Sequence, residues 1–97
     1  MITRLFRIRI KPDRRADFER DFIDISVSYV KKQAGYLSHT VGYPTAWQPN
    51  DYLLVTNWRD EAALHTFAGE AWNKPVIPGG MEHYVVDCWV DHFVVDD

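Results

Sequence analysis

Hydrophobic and polar residues alternate along the first ten positions, which is the pattern of a β-strand with one buried face. One side of residues 2–10 carries Ile2, Arg4, Phe6, Ile8 and Ile10, and the other carries Thr3, Leu5, Arg7 and Arg9. Similar patterns predict strands over 36–43, 51–58 and 84–95. Between the second and third strands, residues 44–51 are rich in Pro, Asn and Asp and predict a turn.

A long first helix is predicted over residues 13–34, with Asp13 as its cap and Gly35 ending it in a left-handed conformation. Its apolar residues form two stripes about 140° apart. The first contains Phe18, Phe22, Ile25 and Tyr29, and the second contains Ile23, Val27, Val30 and Ala34. Because a helix lying on one sheet needs a single stripe, the second predicts another contact, with the 73–83 loop or with a partner subunit.

A second helix is predicted over residues 60–72. Asp60 is a suitable N-cap, because its carboxylate can accept from amides of the first turn. One apolar stripe follows, formed by Leu64, Phe67, Ala68 and Ala71.

The order βαββαβ predicts an α+β domain of ferredoxin-like topology, with an antiparallel sheet and both helices on one face. Large apolar residues occupy both faces of the strands, so the face without helices also needs a cover. Two sheets packed face to face would provide it, which predicts a homodimer through the sheet, a dimeric α+β barrel. With 97 residues the chain is expected to form a single domain over 1–97.

Charge and composition exclude several classes of function. The net charge of −3 and the scattered basic residues argue against nucleic-acid binding, which needs a basic face. A single cysteine, Cys88, excludes an internal disulfide and a cysteine-rich zinc module. No run approaches the roughly 18 apolar residues that span a membrane, and the start has no apolar signal core. These features predict a cytoplasmic protein without a membrane partner.

Several short segments resemble the antibiotic biosynthesis monooxygenase (ABM) family of small dimeric α+β barrels. The most specific is the run Trp58-Arg59-Asp60-Glu61-Ala62-Ala63-Leu64. The others are Lys11-Pro12, Gly35-Tyr36, Phe67-Ala68-Gly69-Glu70 with Trp72, Val76-Ile77-Pro78 and Val90-x-His92-Phe93. The resemblance covers nearly the whole chain and implies one ABM-like domain.

Oxygenases of this family act without metal, flavin or haem on polycyclic phenols, which they oxidise to quinones. The resemblance therefore implies no cofactor and a small aromatic substrate in a dry apolar pocket. Family members use an Asn and a Trp near the end of the third strand, the place of Asn57 and Trp58. As neighbours in a strand these two point to opposite faces, so only one of them reaches a helix-side pocket.

The haem-degrading branch of the family implies an Asn on the first strand, a Trp in the second helix and a His shortly after it. This chain has no Asn in its first strand, Phe67 stands where the Trp is expected, and no His lies between His65 and His83. The sequence therefore disfavours haem.

His39 and His92 are the foremost candidates for acid–base chemistry. By strand parity they share faces with Leu37 and Val41 and with Val86, Cys88 and Val90, all expected to be buried. If Arg4 lies on the same face, a cation and two imidazoles meet in an apolar setting. Imidazole suits a general base for a phenol, although burial and Arg4 would both lower its pKa. The alternative is that each His is a structural hydrogen-bonding residue.

The predicted site has His92 as base or proton relay, Asn57 and Arg4 holding the oxyanion, and His39 nearby. Trp58 and Trp72 are expected to sandwich the substrate ring, with His65, Phe22 and Phe67 completing the pocket. His39, His92 and Cys88 lack a zinc-ligand spacing, so no metal site is predicted.

Three functions stay open: a cofactor-independent monooxygenase, a non-catalytic small-molecule-binding or accessory dimer, and an oxygen-independent isomerase or cyclase. A polar, convergent pocket favours an enzyme, and an interior filled by aromatic side chains favours the binding dimer.

Overall fold

The computed structural model of the protein describes residues 1–96. Its strands are β1 (Ile2–Ile10), β2 (Tyr36–Gly42), β3 (Asp51–Trp58) and β4 (Val85–Val94). Its helices are α1 (Arg15–Asp21), α2 (Ser28–Lys31) and α3 (Glu61–Ala68), and a π-helical turn over Phe22–Val27 joins α1 to α2. Short 3-10 turns precede α1 at Pro12–Arg14 and β4 at Glu82–Tyr84.

The four strands form one antiparallel sheet in the order β2-β3-β1-β4. The predicted α+β ferredoxin-like fold is confirmed. Strand β1 lies between β3 and β4, and its register places Arg4 opposite Thr56 on one side and His92 on the other. These three positions become neighbours on the helix-covered face, because directly paired residues of adjacent strands project to the same side.

The core fills the space between this face and the helices. Its largest fully buried side chains are Trp58, Tyr52, Tyr84, Phe18, Phe22, Ile8, Ile10, Leu64 and Met81. Phe18 packs on Phe22 and Tyr52, with ring centroids 4.9 Å and 4.6 Å away. The hydroxyl of Tyr52 donates to Glu19 at 2.6 Å, so the buried ring keeps a polar partner at its tip.

Two residues expected to be buried are exposed. The β2–β3 register shifts between Tyr36 and Ser38, which leaves Leu37 out of the alternation and 52% exposed. The β1–β4 register shifts at Arg9/Ile10, and Val86, the unpaired residue there, is 57% exposed. Each extra residue breaks the period of two on which the parity argument depends.

The prediction of one continuous first helix is wrong, because the π-helical turn interrupts it. A π turn holds one more residue than an α turn and therefore rotates the following residues around the helix axis. Phe18 and Phe22 of the first stripe are buried up to the first residue of the turn, and Val27 and Val30 of the second are buried from its last residue onward, in the same core. The expectation of a separate contact for the second stripe is therefore wrong for Val27 and Val30.

The second predicted helix is shorter than expected. Asp60 caps α3 as predicted, its Oδ1 accepting from the Ala63 amide at 2.8 Å. The helix ends at Ala68 and not at residue 72, because Gly69 has a φ of +81° and turns the chain out of the helix. Residues 69–81 then form a loop over the end of the core.

The opposite face of the sheet carries no helix. Phe93 and Trp89 on this face are 57% and 36% exposed, and Leu5, Leu53 and Val55 are half-buried. Over residues 1–96, none of the helices combines the length and the apolar character that crossing a membrane requires.

Gly35 gives a direct test of how the end of the first helical segment packs on α3. It has a φ of +84°, and a Cβ added there would lie 2.3 Å from the Cβ of Ala63. We expect Gly35→Ala to lower the free energy of unfolding by about 1–2 kcal/mol because of the left-handed backbone. Overlap of the added Cβ with α3 should lower it by a further ~1–3 kcal/mol. The free energy of unfolding in urea measures the loss.

Gly69→Ala is a comparison without overlap, because Gly69 also has a positive φ, +81° with ψ −170°, and no heavy atom within 4 Å of the added Cβ. It should lose only the backbone contribution. Combining Gly35→Ala with Ala63→Gly should recover part of the difference. No recovery in the double variant would show that the contact with Ala63 has no energetic weight.

Candidate active site

The candidate active site is built around Arg4, a charged residue at the centre of the sheet that is only 3% exposed. Its Nη1 donates to the carbonyl oxygen of Trp72 at 2.7 Å and lies 2.9 Å from Nε2 of His92. Its Nη2 donates to the carbonyl oxygen of Lys74 at 3.0 Å. No carboxylate among residues 1–96 pairs with it, so Arg4 is a buried cation held only by neutral acceptors.

Burial lowers the pKa of Arg4 to about 10. The guanidinium nevertheless stays charged at neutral pH. Since a buried charge is costly without an opposite charge, the surroundings of Arg4 favour the binding of an anion. The ring of Phe67 lies 5.8 Å from the guanidinium carbon and offers it only a weak electrostatic partner.

His92 is held in one protonation state by its neighbour. Arg4 can only donate, so Nε2 of His92 accepts, and the ring is neutral with its proton on Nδ1. Burial, and after it the charge of Arg4, lower the pKa of His92, against a smaller opposing effect of Asp91. Trp72 packs its edge on this ring with centroids 4.6 Å apart.

A cavity of about 30 Å³ adjoins Arg4 between the sheet and the helices. It is lined by Arg4, Phe6, Ser26, Tyr29, Val30, Leu54, Thr56, Phe67, Val76 and Pro78. The volume holds a small polar group or one or two waters but not an aromatic ring. Residues 15–31, formed by α1, the π-helical turn and α2, are called the helical segment. Tyr29, Val76 and Pro78 also line an open groove of about 550 Å³ between the helical segment and the 76–79 loop. Cavity and groove are therefore neighbours separated by these three side chains.

The structure places Arg4, His92 and His39 on one face of the sheet, with Arg4 and His92 in contact and His39 two strands away from Arg4, opposite Thr56. It separates Asn57 from them. His39 lies on β2 at the sheet edge, where Nδ1 is 2.6 Å from the hydroxyl of Tyr36. Asn57 points to the open face, accepting from Thr3 at 2.7 Å and donating to Ser38 at 3.0 Å. The predicted oxyanion pair of Arg4 and Asn57 does not form within the chain, because the two lie on opposite faces of the sheet.

The predicted aromatic residues divide between core and site. Trp58 is fully buried and stacks on Phe67 at 4.9 Å, which makes it part of the wall behind the cavity and not a cavity-lining ring. Phe22 lies in the core, and His65 is exposed on α3. Phe67 lines the cavity, while Trp72 packs beside His92.

Sequence reasoning missed Ser26, Tyr29 and Thr56 as cavity residues. Thr56 could have been found, because it alternates with Trp58 along β3 and pairs with Arg4. Ser26 reaches the cavity through the π-helical turn, and the two apolar stripes of the helix were the only sign of that turn. Tyr29, 40% exposed, looked like an ordinary packing residue.

Comparison with known proteins identifies the family of this fold. The family described as antibiotic biosynthesis monooxygenase matches residues 1–71. No curated protein sequence matches the chain.

The chain is also similar to solved structures. A putative antibiotic biosynthesis monooxygenase from Deinococcus radiodurans has 17% identity and a TM-score of 0.75, covering 100% of this chain and 94% of that one. The haem degrader MhuD from Mycobacterium tuberculosis, with two haems in its active site, has 18% identity and a TM-score of 0.71, covering 100% and 98%. SnoaB, a cofactor-independent oxygenase from Streptomyces nogalater, has 19% identity and a TM-score of 0.68 as its N63A mutant, covering 99% and 93%. At these identities the likeness shows the fold.

The residues of this site do not fit a histidine-ligated haem. No His lines the cavity, and Nε2 of His92 is already engaged by Arg4. His65 and His83 are both exposed away from the cavity lining. Within residues 1–96, no three His, Cys, Asp or Glu side chains gather as a metal site would require.

We expect the pKa of His92 to lie below the usual 6.5 because of burial and of Arg4. An NMR titration of the imidazole resonances measures it. Arg4→Gln should raise the value only in part, since burial is the larger cause, and Arg20→Gln, at an exposed residue, should leave it unchanged. A His92 pKa that does not respond to Arg4→Gln would contradict the observed contact.

The same shift has a defined sign for stability. The unfolded chain binds a proton at His92 near its ordinary pKa, and the folded chain binds it only at lower pH. The stabilising contribution of neutral His92 to the free energy of unfolding is therefore fully present above about pH 6.5. It decreases as the pH falls towards the pKa that His92 has in the folded protein. The free energy of unfolding should fall over that interval more in the wild type than in His92→Gln.

Proposed function

Because the chain belongs to the antibiotic biosynthesis monooxygenase family, we propose that it is a cofactor-independent monooxygenase acting on a planar aromatic molecule of polyketide type. One observation carries the proposal: a buried arginine without a carboxylate partner faces a largely apolar cavity. Such a cation favours the ionised form of a phenol, which is the form that reacts with dioxygen. SnoaB, which shares this fold, is itself a cofactor-independent oxygenase.

The proposed reaction needs no external reductant. The phenol loses its proton, a ring carbon of the phenolate bonds to one atom of dioxygen, and the peroxide formed loses water to leave a carbonyl. One oxygen atom enters the quinone and the other leaves as water, and the substrate supplies all four electrons. The task of the protein is to stabilise the phenolate and the peroxide and to exclude bulk water.

Arg4 stabilises the negative charge in this scheme, and Thr56 replaces Asn57 as the second polar group. The Oγ1 of Thr56 accepts from Nε1 of Trp58 at 2.9 Å, which leaves its own O–H to donate towards the cavity. His92 can take a proton only after Nε2 releases Arg4. A phenol hydroxyl donating to Nε2 while its oxygen approaches Arg4 would achieve that exchange.

A non-catalytic binding dimer is the second candidate, and the cavity volume favours it. About 30 Å³ does not admit a ring, and Trp58 stacked on Phe67 fills the space behind it. For the monooxygenase, the ring must lie in the adjoining groove or displace Val76 and Pro78. An isomerase or cyclase would use the same site without consuming oxygen.

We also propose that two copies pair through their open sheet faces. Phe93 and Trp89 give this face an apolar surface. Two exposed carboxylates, Asp87 and Asp91, lie beside them on β4, and three further charges of the face contact one another. Asp51 accepts from both Arg7 and Arg9, and their guanidinium carbons lie 4.9 Å and 5.3 Å from the Trp89 ring centroid. A second copy could therefore cover the part of the face around Trp89, where both arginines already contact Asp51, while Asp87 and Asp91 stay at the solvated rim.

Oxygen uptake tests the monooxygenase. We expect the protein, treated with a metal chelator and free of flavin and haem, to consume one O2 per molecule of a polycyclic phenol such as 1,8-dihydroxynaphthalene, with a quinone as product. Removing the anion-stabilising charge in Arg4→Gln should slow the reaction by about 100-fold. His65→Gln, at an exposed residue of α3, is the control and should keep the rate.

Binding of phenols without oxygen uptake would support the binding dimer. A rearranged product formed under nitrogen would support the isomerase or cyclase.

Light scattering tests the dimer. The wild type should have twice the 11.4 kDa mass of one chain. Phe93→Glu places a charge on the apolar face and should produce monomers, whereas Trp47→Glu, at a 94% exposed residue between β2 and β3, should leave the mass unchanged. Dissociation by both substitutions, or by neither, would place the interface elsewhere.

A further inference from the structure

We infer that the site selects a substrate carrying a planar anion with two oxygens side by side, a carboxylate or the enolate of a 1,3-dicarbonyl group. Arg4 would grip both oxygens, and the ring would lie in the groove between the helical segment and the 76–79 loop. The inference rests on the proposed function only in placing the substrate at this site, and it holds equally for a binding protein.

The hydrogen bonds of Arg4 leave one edge of the guanidinium unused. Nη1 donates its two hydrogens to the carbonyl oxygen of Trp72 and to Nε2 of His92, and Nη2 donates one to the carbonyl oxygen of Lys74. No described residue accepts from Nε–H or from the second hydrogen of Nη2. The nitrogens Nε and Nη2 form the side edge of the planar guanidinium, whose spacing matches two oxygens of one planar anion.

The surroundings hold this edge in place. Arg4 is 3% exposed, and the carbonyl groups of Trp72 and Lys74 fix the far end of the guanidinium. A donor that is already immobilised loses little conformational entropy when a ligand binds. The edge is therefore a preorganised receptor and not a mobile surface arginine.

The cavity that would hold the anion has no negative charge, and the groove that would hold the ring has one charge of each sign, Asp24 and Lys32. The side chains around the cavity are apolar apart from Arg4, Ser26, Tyr29 and Thr56, and none of the ten lining residues is acidic. Thr56 stands directly opposite Arg4 in the β1–β3 register, and its O–H is oriented by the Trp58 indole, which occupies an Oγ1 lone pair. It supplies a third donor beside the two of Arg4.

The shape of the space matches a small anionic head on a flat body. The cavity of about 30 Å³ has room for a small polar group, and the groove of about 550 Å³ beside it has room for rings. Tyr29, Val76 and Pro78 line both, so a planar molecule passing between them would contact an aromatic ring and two apolar side chains. A phenol with one oxygen would use only half of the arginine edge.

Calorimetric titration under nitrogen at neutral pH tests the inference. The probes are 2-naphthoate as the carboxylate, 2-acetyl-1,3-indanedione as the enolate, and 2-naphthol as the uncharged single-oxygen molecule of similar size. At least one anion should bind at least about tenfold more tightly than 2-naphthol. Binding of the carboxylate alone or of the enolate alone identifies which acid is the source of the anion.

The variants separate charge from geometry. Arg4→Gln removes the cation, and Arg4→Lys keeps the charge without the two-donor edge. Each substitution should therefore lower the affinity for the preferred anion at least about tenfold. Arg20→Gln, an equal loss of charge at an exposed residue, should leave the affinity unchanged. Anion affinity no higher than that of 2-naphthol, or unchanged in both Arg4 variants, would overturn the inference.

A measurement on the wild type avoids dependence on variants that fold poorly. The Nε–H resonance of Arg4 should move downfield when the preferred anion is added, and an unchanged resonance at saturation would overturn the inference. Anion binding without oxygen uptake supports this inference while the monooxygenase fails. Oxygen uptake with neutral phenols, without any preference for anions, would support the monooxygenase and overturn this inference.

Discussion

The burial of one positive charge at the centre of the sheet is the constraint on which the rest of the site depends. Arg4 lies on β1, an inner strand between β3 and β4, so its side chain does not reach bulk water around an edge of the sheet. Three of its five N–H donors are met locally, by two loop carbonyl groups and His92. The position of the 69–81 loop and the tautomer of His92 both follow from these contacts.

The π-helical turn shapes the wall of the cavity opposite the sheet. It transfers the buried face of the helical segment from the Phe18 stripe to the Val30 stripe, and the transition occurs where Ser26 and Tyr29 approach the cavity. A regular helix would bury a single stripe along its length. Irregular turns of this kind have an energetic cost and are frequent at functional sites, and here the turn shapes the space next to Arg4.

Much of the fold could be predicted from the sequence, because the alternation in β1 and the cap at Asp60 are local signals that tertiary packing did not override. Strand parity gave the face of His92 within its own strand, and the β1–β4 register then places Arg4 opposite it. Predictions failed where the period changed, at the register shift beside Leu37, at the π turn and at Gly69. Asn57 could not be placed because adjacent residues of a strand face opposite ways, and only the packing of Trp58 decided which one turned inward.

The contacts of Arg4 also link the loop to the chemistry at the cavity. The carbonyl groups of Trp72 and Lys74 hold one end of the guanidinium, while Val76 and Pro78, a few residues further along the same loop, separate the cavity from the groove. A substrate ring that enters the cavity must displace Val76 and Pro78, but an anion on the free edge of Arg4 leaves the two carbonyl groups in place. Displacement of residues 76–79 is therefore compatible with the contacts of Arg4 to residues 72 and 74, so substrate access does not require Arg4 to lose its two carbonyl partners.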